Sequence, residues 1–147
     1  MKKYLILLCA LLLLGTSAIG CSSEGHSDIH DVDVDLTLLS ATVLQAEFEN
    51  IISNSENYLG QTIRVIGTYN PLFYEQTGNY YHYVIVVSGD SCCQMGFEFK
   101  RADNYKVPDD YPERNARIEV IGTLDRYTEQ GTSYLYLDVI EMNILGN

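Results

Sequence analysis

The sequence predicts a mainly β protein: a five-stranded OB-type barrel preceded by one N-terminal α-helix. Three observations carry this reading. Five stretches rich in β-branched and aromatic residues follow a single stretch of helical period. Two of them, Thr62 to Tyr69 and Ala116 to Leu124, share I-x-V-I-G-T, with Gly67 and Gly122 standing where a long barrel strand must coil or bulge. Finally, Tyr80 to Phe99 (YYHYVIVVSGDSCCQMGFEF) reads as a hairpin, two apolar runs parted by Ser88-Gly89-Asp90-Ser91. An SH3-like barrel is the alternative architecture.

The chain begins MKKYLILLCALLLLGTSAIGC. Lys2 and Lys3 make a basic start, and the apolar run Tyr4 to Leu14 is short for a membrane-spanning helix. Ala18-Ile19-Gly20-Cys21 resembles a bacterial lipobox, with Ala18 where Leu is commoner. Residues 1–20 are therefore expected to be a lipoprotein signal peptide and Cys21 the lipidated residue. The protein is then anchored in the cell membrane on its extracytoplasmic face, each buried lipid methylene contributing about 0.8 kcal/mol. The alternative is an ordinary signal peptide with an incidental cysteine.

The net charge is −11, and loss of Lys2 and Lys3 with the signal brings it to −13. Residues 22–35 (SSEGHSDIHDVDVD) hold five acids and no base, so residues 21–35 read as an acidic, disordered tether. His26 and His30 among these aspartates could form a weak metal site, but a solvated spacer is the better reading. The remaining residues, 36–147, are enough for one domain that buries well over half of its unfolded surface.

Within that domain, Ser40 to Asn54 is the helix. Val43, Leu44, Phe48, Ile51 and Ile52 form its apolar stripe, Ser40 is the N-cap, and Ser53-Asn54-Ser55 stops it. The strand Thr62–Tyr69 follows. In the hairpin, a three-residue loop Gly89-Asp90-Ser91 pairs Val87, Ile85, Tyr83 and Tyr81 with Cys93, Met95, Phe97 and Phe99 on a wholly apolar face. His82 then stands opposite Glu98 on the outer face, because register follows the buried face. Arg101 to Asn115, with Pro108 and Pro112, reads as a long ordered loop, in place of the helix usual between the third and fourth strands of such barrels. The strand Ala116–Leu124 and the last strand, Ser133–Met142, are joined through the turn Glu129-Gln130-Gly131-Thr132. The expected core is Phe48, Ile52, Ile63, Val65, Ile85, Val87, Cys93, Met95, Phe97, Phe99, Ile118, Val120, Leu135 and Leu137.

Cys9 leaves with the signal and Cys21 carries lipid, so Cys92 and Cys93 alone remain, too few for a disulfide framework. Neighbours on a strand point to opposite faces, and zinc needs further ligands. Three readings of the pair stay open: a core Cys93 beside a surface Cys92 thiol, a strained vicinal disulfide, or a thiol or metal site completed by acidic loop residues. No cofactor is expected; a divalent metal such as zinc at Cys92-Cys93 is the alternative. His82 and Glu98 are a candidate surface pair. An acid–base couple there lacks any recognisable nucleophile, so the chain is read as non-enzymatic. Tyr134 and Tyr136 are candidates for stacking on sugars or peptides, or else ordinary strand tyrosines. Residues 36–147 carry 15 acids against 7 bases, so nucleic acid is not expected as a partner. The membrane, through Cys21, and an unknown protein, peptide or glycan are the expected partners.

Leu59-Gly60, Cys92-Cys93-Gln94-Met95-Gly96-Phe97-Glu98-Phe99, Tyr111-Pro112, Ile118 to Thr123 and Tyr134 to Leu137 together resemble the pattern of a family of small lipoproteins of Gram-positive, clostridia-like bacteria. More distantly, the double cysteine and glycine-bearing strand are similar to the soluble part of a permease-subunit family linked to zinc uptake, although Gln94-Met95 departs from its pattern. The first resemblance implies a lipid-anchored domain, and neither implies a reaction. The role predicted is a membrane-anchored binding or assembly module, with metal or thiol chemistry at Cys92-Cys93 as the alternative.

Overall fold

The structure, a computed structural model, describes residues 31–88, 93–102 and 104–146. Cys21, His26, His30 and Cys92 lie outside the described residues, and so does the side chain of Cys93.

A two-residue strand β1 (Val34–Asp35) and a 3-10 turn (Leu36–Leu38) lead into helix α1 (Ala41–Ser53). Five longer strands follow: β2 (Thr62–Tyr74), β3 (Asn79–Ser88), β4 (Cys93–Lys100), β5 (Arg117–Glu129) and β6 (Thr132–Ile144). They run β2-β3-β4-β6-β5, and β5 returns to pair with β2, closing the barrel. Neighbours are antiparallel except β4 and β6, which run parallel (Phe99 opposite Leu137). That order, with one parallel pair, is the OB-type barrel rather than the SH3-like alternative. Among the described residues no helix is long and apolar enough to cross a membrane.

The two I-x-V-I-G-T segments pair with each other, Val65 opposite Val120 and Gly67 opposite Ile118. Gly67 is required by close approach: a Cβ there would lie 2.5 Å from the Ile85 carbonyl oxygen. The β5–β6 hairpin closes through Gln130-Gly131, both at positive φ (50° and 82°), the backbone of a two-residue turn that matches strand twist. β2 runs on past Tyr69 to Tyr74, with Pro71 in the ladder opposite His82. Asp33 to Asp35, expected in the tether, lie along β2: the Asp33 amide donates to the Thr62 carbonyl at 3.0 Å, and Val34 stands opposite Ile63.

Two corrections concern what faces inward. On α1 the buried residues are Phe48 and Ile51, not Ile52, which is 52% exposed. In the β3–β4 hairpin the register is one residue off the expected one: Ser88 faces Cys93, Val86 faces Met95, Val84 faces Phe97 and His82 faces Phe99. The inward set on β3 is therefore His82, Val84 and Val86, while Ile85 is half-buried and Val87 is exposed. His82 does not oppose Glu98; Tyr83 does. The physical reason is that YYHYVIVV has an apolar face on either parity. The inward choice is decided by Phe97, Phe99 and Phe48, which need aliphatic partners, and by Tyr69, which supplies a hydrogen bond to an inward His82. Phe48 and Phe97 stack with centroids 4.6 Å apart, in one core with Leu36, Ile63, Val65, Val120, Leu124 and Leu137.

Candidate functional site

The inward histidine has an outward consequence. With the even positions of β3 inside, Tyr81 and Tyr83 project from the barrel wall beside Glu98 and Lys100 of β4. The ends of the β2–β3 and β5–β6 hairpins and the loop after β4 rise around this wall. Together they form a groove of about 670 Å³ whose lining includes Tyr80, His82, Glu98, Lys100, Arg101, Tyr105, Tyr111 and Tyr127.

At its centre Glu98, only 6% exposed, accepts a hydrogen bond from the Tyr127 hydroxyl at 2.8 Å. The Lys100 ammonium stands 3.8 Å from the other Glu98 oxygen. The same ammonium sits 3.1 Å from the centroid of the Tyr127 ring and 4.6 Å from that of Tyr136. Burial pushes the Glu98 carboxyl up from its ordinary value, against the downward pull of Tyr127 and Lys100. Burial and the hydrogen bond to Glu98 push the Tyr127 hydroxyl up as well. This is a half-exposed cation held by two ring faces and one buried carboxylate.

At the other end His82 lies flat under Tyr111, centroids 3.9 Å apart and 13° from parallel. Its Nδ1 is 2.7 Å from the Tyr69 hydroxyl. Burial lowers the imidazole pKa to about 4 and raises that of Tyr69 to about 12, so near neutral pH the bond joins a neutral ring and an un-ionised hydroxyl. Arg101 then stacks on Tyr105, 3.5 Å from its centroid, and stands 5.7 Å from that of Tyr111. His82 is thus a buried support for a tyrosine platform, and Glu98 is the counter-ion of Lys100. Both line one groove without touching as a couple.

Of the remaining predicted site residues, Tyr134 is 42% exposed and stacks on Tyr127 at 5.4 Å, and Tyr136 covers Lys100. The ladder puts the backbone of Cys93 six positions along β3–β4 from His82, roughly 20 Å at ~3.3 Å per residue, well away from His82. Among the described residues no group of three or more His, Cys, Asp or Glu is placed to hold a metal ion. Sequence reasoning missed Tyr81, Lys100, Arg101, Tyr111 and Tyr127. The available signal was the excess of tyrosine without tryptophan, 12 against 0, in and around the strands.

No protein-family model matches the chain, and no curated protein matches it. Among solved structures the chain is similar to the mitochondrial single-stranded DNA-binding protein of S. cerevisiae. In one crystal form the identity is 17% and the TM-score 0.41, over 59% of this chain and 94% of that chain. In a second form the values are 16% and 0.39, over 59% and 96%. The expectation that excluded nucleic acid as a partner is corrected at this point, since the neighbours found are single-stranded DNA-binding proteins. The net charge on which that expectation rested is a domain-wide sum, and it does not register that Lys100 and Arg101 sit together against tyrosine rings in one groove.

Proposed function

We propose that this protein is a membrane-tethered, extracytoplasmic binding module without enzymatic activity, whose ligand lies across β3 and β4 in the tyrosine-lined groove. The observation that carries the reading is the groove: about 670 Å³, with several tyrosine rings and charges of both signs on the face that OB-type barrels present to ligands. Such a surface favours a ligand that offers flat rings to stack and polar edges to bond. The imidazole is committed to Tyr69 and Tyr111 and the buried carboxylate to Tyr127 and Lys100, so neither is poised as a general acid or base.

The tether reading rests on the lipobox-like Ala18 to Cys21. The chain joins the barrel where Asp33 and Val34 meet the start of β2, whereas the groove lies toward the other end of that 13-residue strand. A chain anchored at Cys21 thereby holds the groove on the side away from its attachment.

The test uses the full-length chain in a maltoside detergent. Its tyrosine emission is followed as chitohexaose or an oligothymidylate is added. A saturable change with either probe is expected, weakened about 5- to 10-fold or more by Arg101→Ala or Tyr105→Ala, as loss of a stacking surface predicts. No saturable change with both probes overturns the binding reading. For the anchor, Cys21→Ala is expected to move the chain to the soluble fraction after signal removal, and continued membrane association refutes it.

A further inference from the structure

Adjoining the groove, and sharing Tyr81, Tyr127 and Glu129 with it, lies a second and smaller cavity of about 190 Å³. Its walls include Tyr74 and Leu72 from the end of β2, Tyr81 and Tyr83 from β3, and Glu129 and Tyr134 from the β5–β6 hairpin. No lysine or arginine lines it among the described residues. The Tyr81 hydroxyl donates to Glu129 at 2.7 Å, which fixes the carboxylate at the cavity wall.

We infer that this cavity is a binding site for a small quaternary ammonium compound of the choline class. Three observations converge on it. The first is composition: tyrosine rings with one carboxylate and no base form the surface that attracts an organic cation through ring quadrupoles and charge. The second is internal. In the adjoining groove the fold already holds an ammonium in this way, the Lys100 Nζ against the Tyr127 and Tyr136 rings with Glu98 as counter-ion. The small cavity repeats the tyrosines and the glutamate and has no cation of its own. The third is size. A dry cavity of about 150 Å³ holds benzene, so about 190 Å³ admits a trimethylammonium group with its short polar arm.

Methylation state follows from hydrogen bonding. A primary ammonium brings three N–H donors, each needing an acceptor once desolvated. Lys100 meets this need with its side chain 40% open to water, whereas in the small cavity the one lining carboxylate, Glu129, is shared with the Tyr81 hydroxyl. A quaternary nitrogen brings no donors and loses little hydration, so ring faces satisfy it. The net charge of −11 adds a long-range attraction for a cation and opposes any ligand that also carries a phosphate.

The experiment is isothermal titration of the full-length chain in a maltoside detergent, which has no choline headgroup. The probes are choline, tetramethylammonium, ethanolamine and glycerophosphocholine. Saturable binding of choline and tetramethylammonium is expected, with ethanolamine at least about tenfold weaker. Tyr134→Ala and Glu129→Gln are each expected to weaken choline about 5- to 30-fold. Ile52→Ala, on the exposed face of α1, is expected to leave choline binding unchanged. Glu129→Gln keeps the side-chain shape, and thermal unfolding of each variant checks that it is folded. The inference fails if choline shows no saturable binding, if ethanolamine binds as well, or if folded Glu129→Gln and Tyr134→Ala proteins bind like the wild type. Tighter binding of glycerophosphocholine than of choline overturns the assignment to the free cation and transfers the site to phosphodiester-linked headgroups.

Discussion

His82 supplies a test that reaches from register to stability. The imidazole is 7% exposed, packed under Tyr111 and bonded to Tyr69, and burial lowers its pKa from 6.5 to about 4. Because the folded value lies below the unfolded one, the unfolded chain takes up the proton first as the pH falls. The contribution is therefore complete above about pH 6.5 and is lost progressively down to about pH 4. The whole shift is worth about 3 kcal/mol, and by pH 5 about 2 kcal/mol of it has gone. The assay is urea unfolding of wild type and His82→Gln at pH 7 and at pH 5. The variant is expected to be about 1–2 kcal/mol less stable at pH 7, from its disturbed bond to Tyr69. It should then lose about 2 kcal/mol less than wild type on acidification. Glu98, whose folded pKa is raised, acts in the opposite direction, but it is present in both proteins and cancels in the difference. An equal loss in the two proteins refutes a buried, neutral His82, and with it the inward parity of β3.

Two further predictions address the barrel. Phe97→Ala removes a ring that is 2% exposed and stacked on Phe48, so it should cost about 3–5 kcal/mol and lower the melting midpoint by roughly 10–20 °C; a near-wild-type melt refutes the core. Gly67→Ala places a methyl 2.5 Å from the Ile85 oxygen and 2.9 Å from the nearest Val84 methyl, which should cost at least about 1–3 kcal/mol in thermal unfolding. Gly146→Ala, with nothing within 4 Å, should leave the midpoint unchanged, and equal melts for the two variants refute the close approach of β2 and β3.

The fold was legible where patterning is one-sided. Thr62 to Tyr69 and Ala116 to Leu124 alternate clearly, and both became long barrel strands, with a register shift at Ile121/Gly122 and a close approach to β3 at Gly67. The helix was placed within one residue of its ends for the same reason, although Ile51 and Ile52 sit so near the stripe's edge that the inward one was chosen wrongly. The β3 parity was not legible: tyrosines count as apolar on one face, valines fill the other, and a histidine reads as polar until Tyr69 is known to reach it. That bond joins residues 13 positions apart across a hairpin whose strand β2 contains Pro71, an unlikely strand interior by local rules. The groove was hidden by the same slip. Glu98 and Lys100 were rightly placed on the outer face of β4, but Tyr136 reaches them through the parallel β4–β6 pairing and Tyr127 from β5 on the far side of β6, contacts that no local pattern encodes.

The most direct test of the account is hydrogen exchange of the full-length chain, read peptide by peptide by mass spectrometry, with and without saturating chitohexaose or oligothymidylate. Ligand seated in the groove slows exchange in the peptides spanning residues 78–83, 98–107 and 127–129, and leaves α1 and residues 93–96 as they were. Protection confined to α1 and the start of β4, or no protection with either probe, contradicts a binding module built on the tyrosine groove.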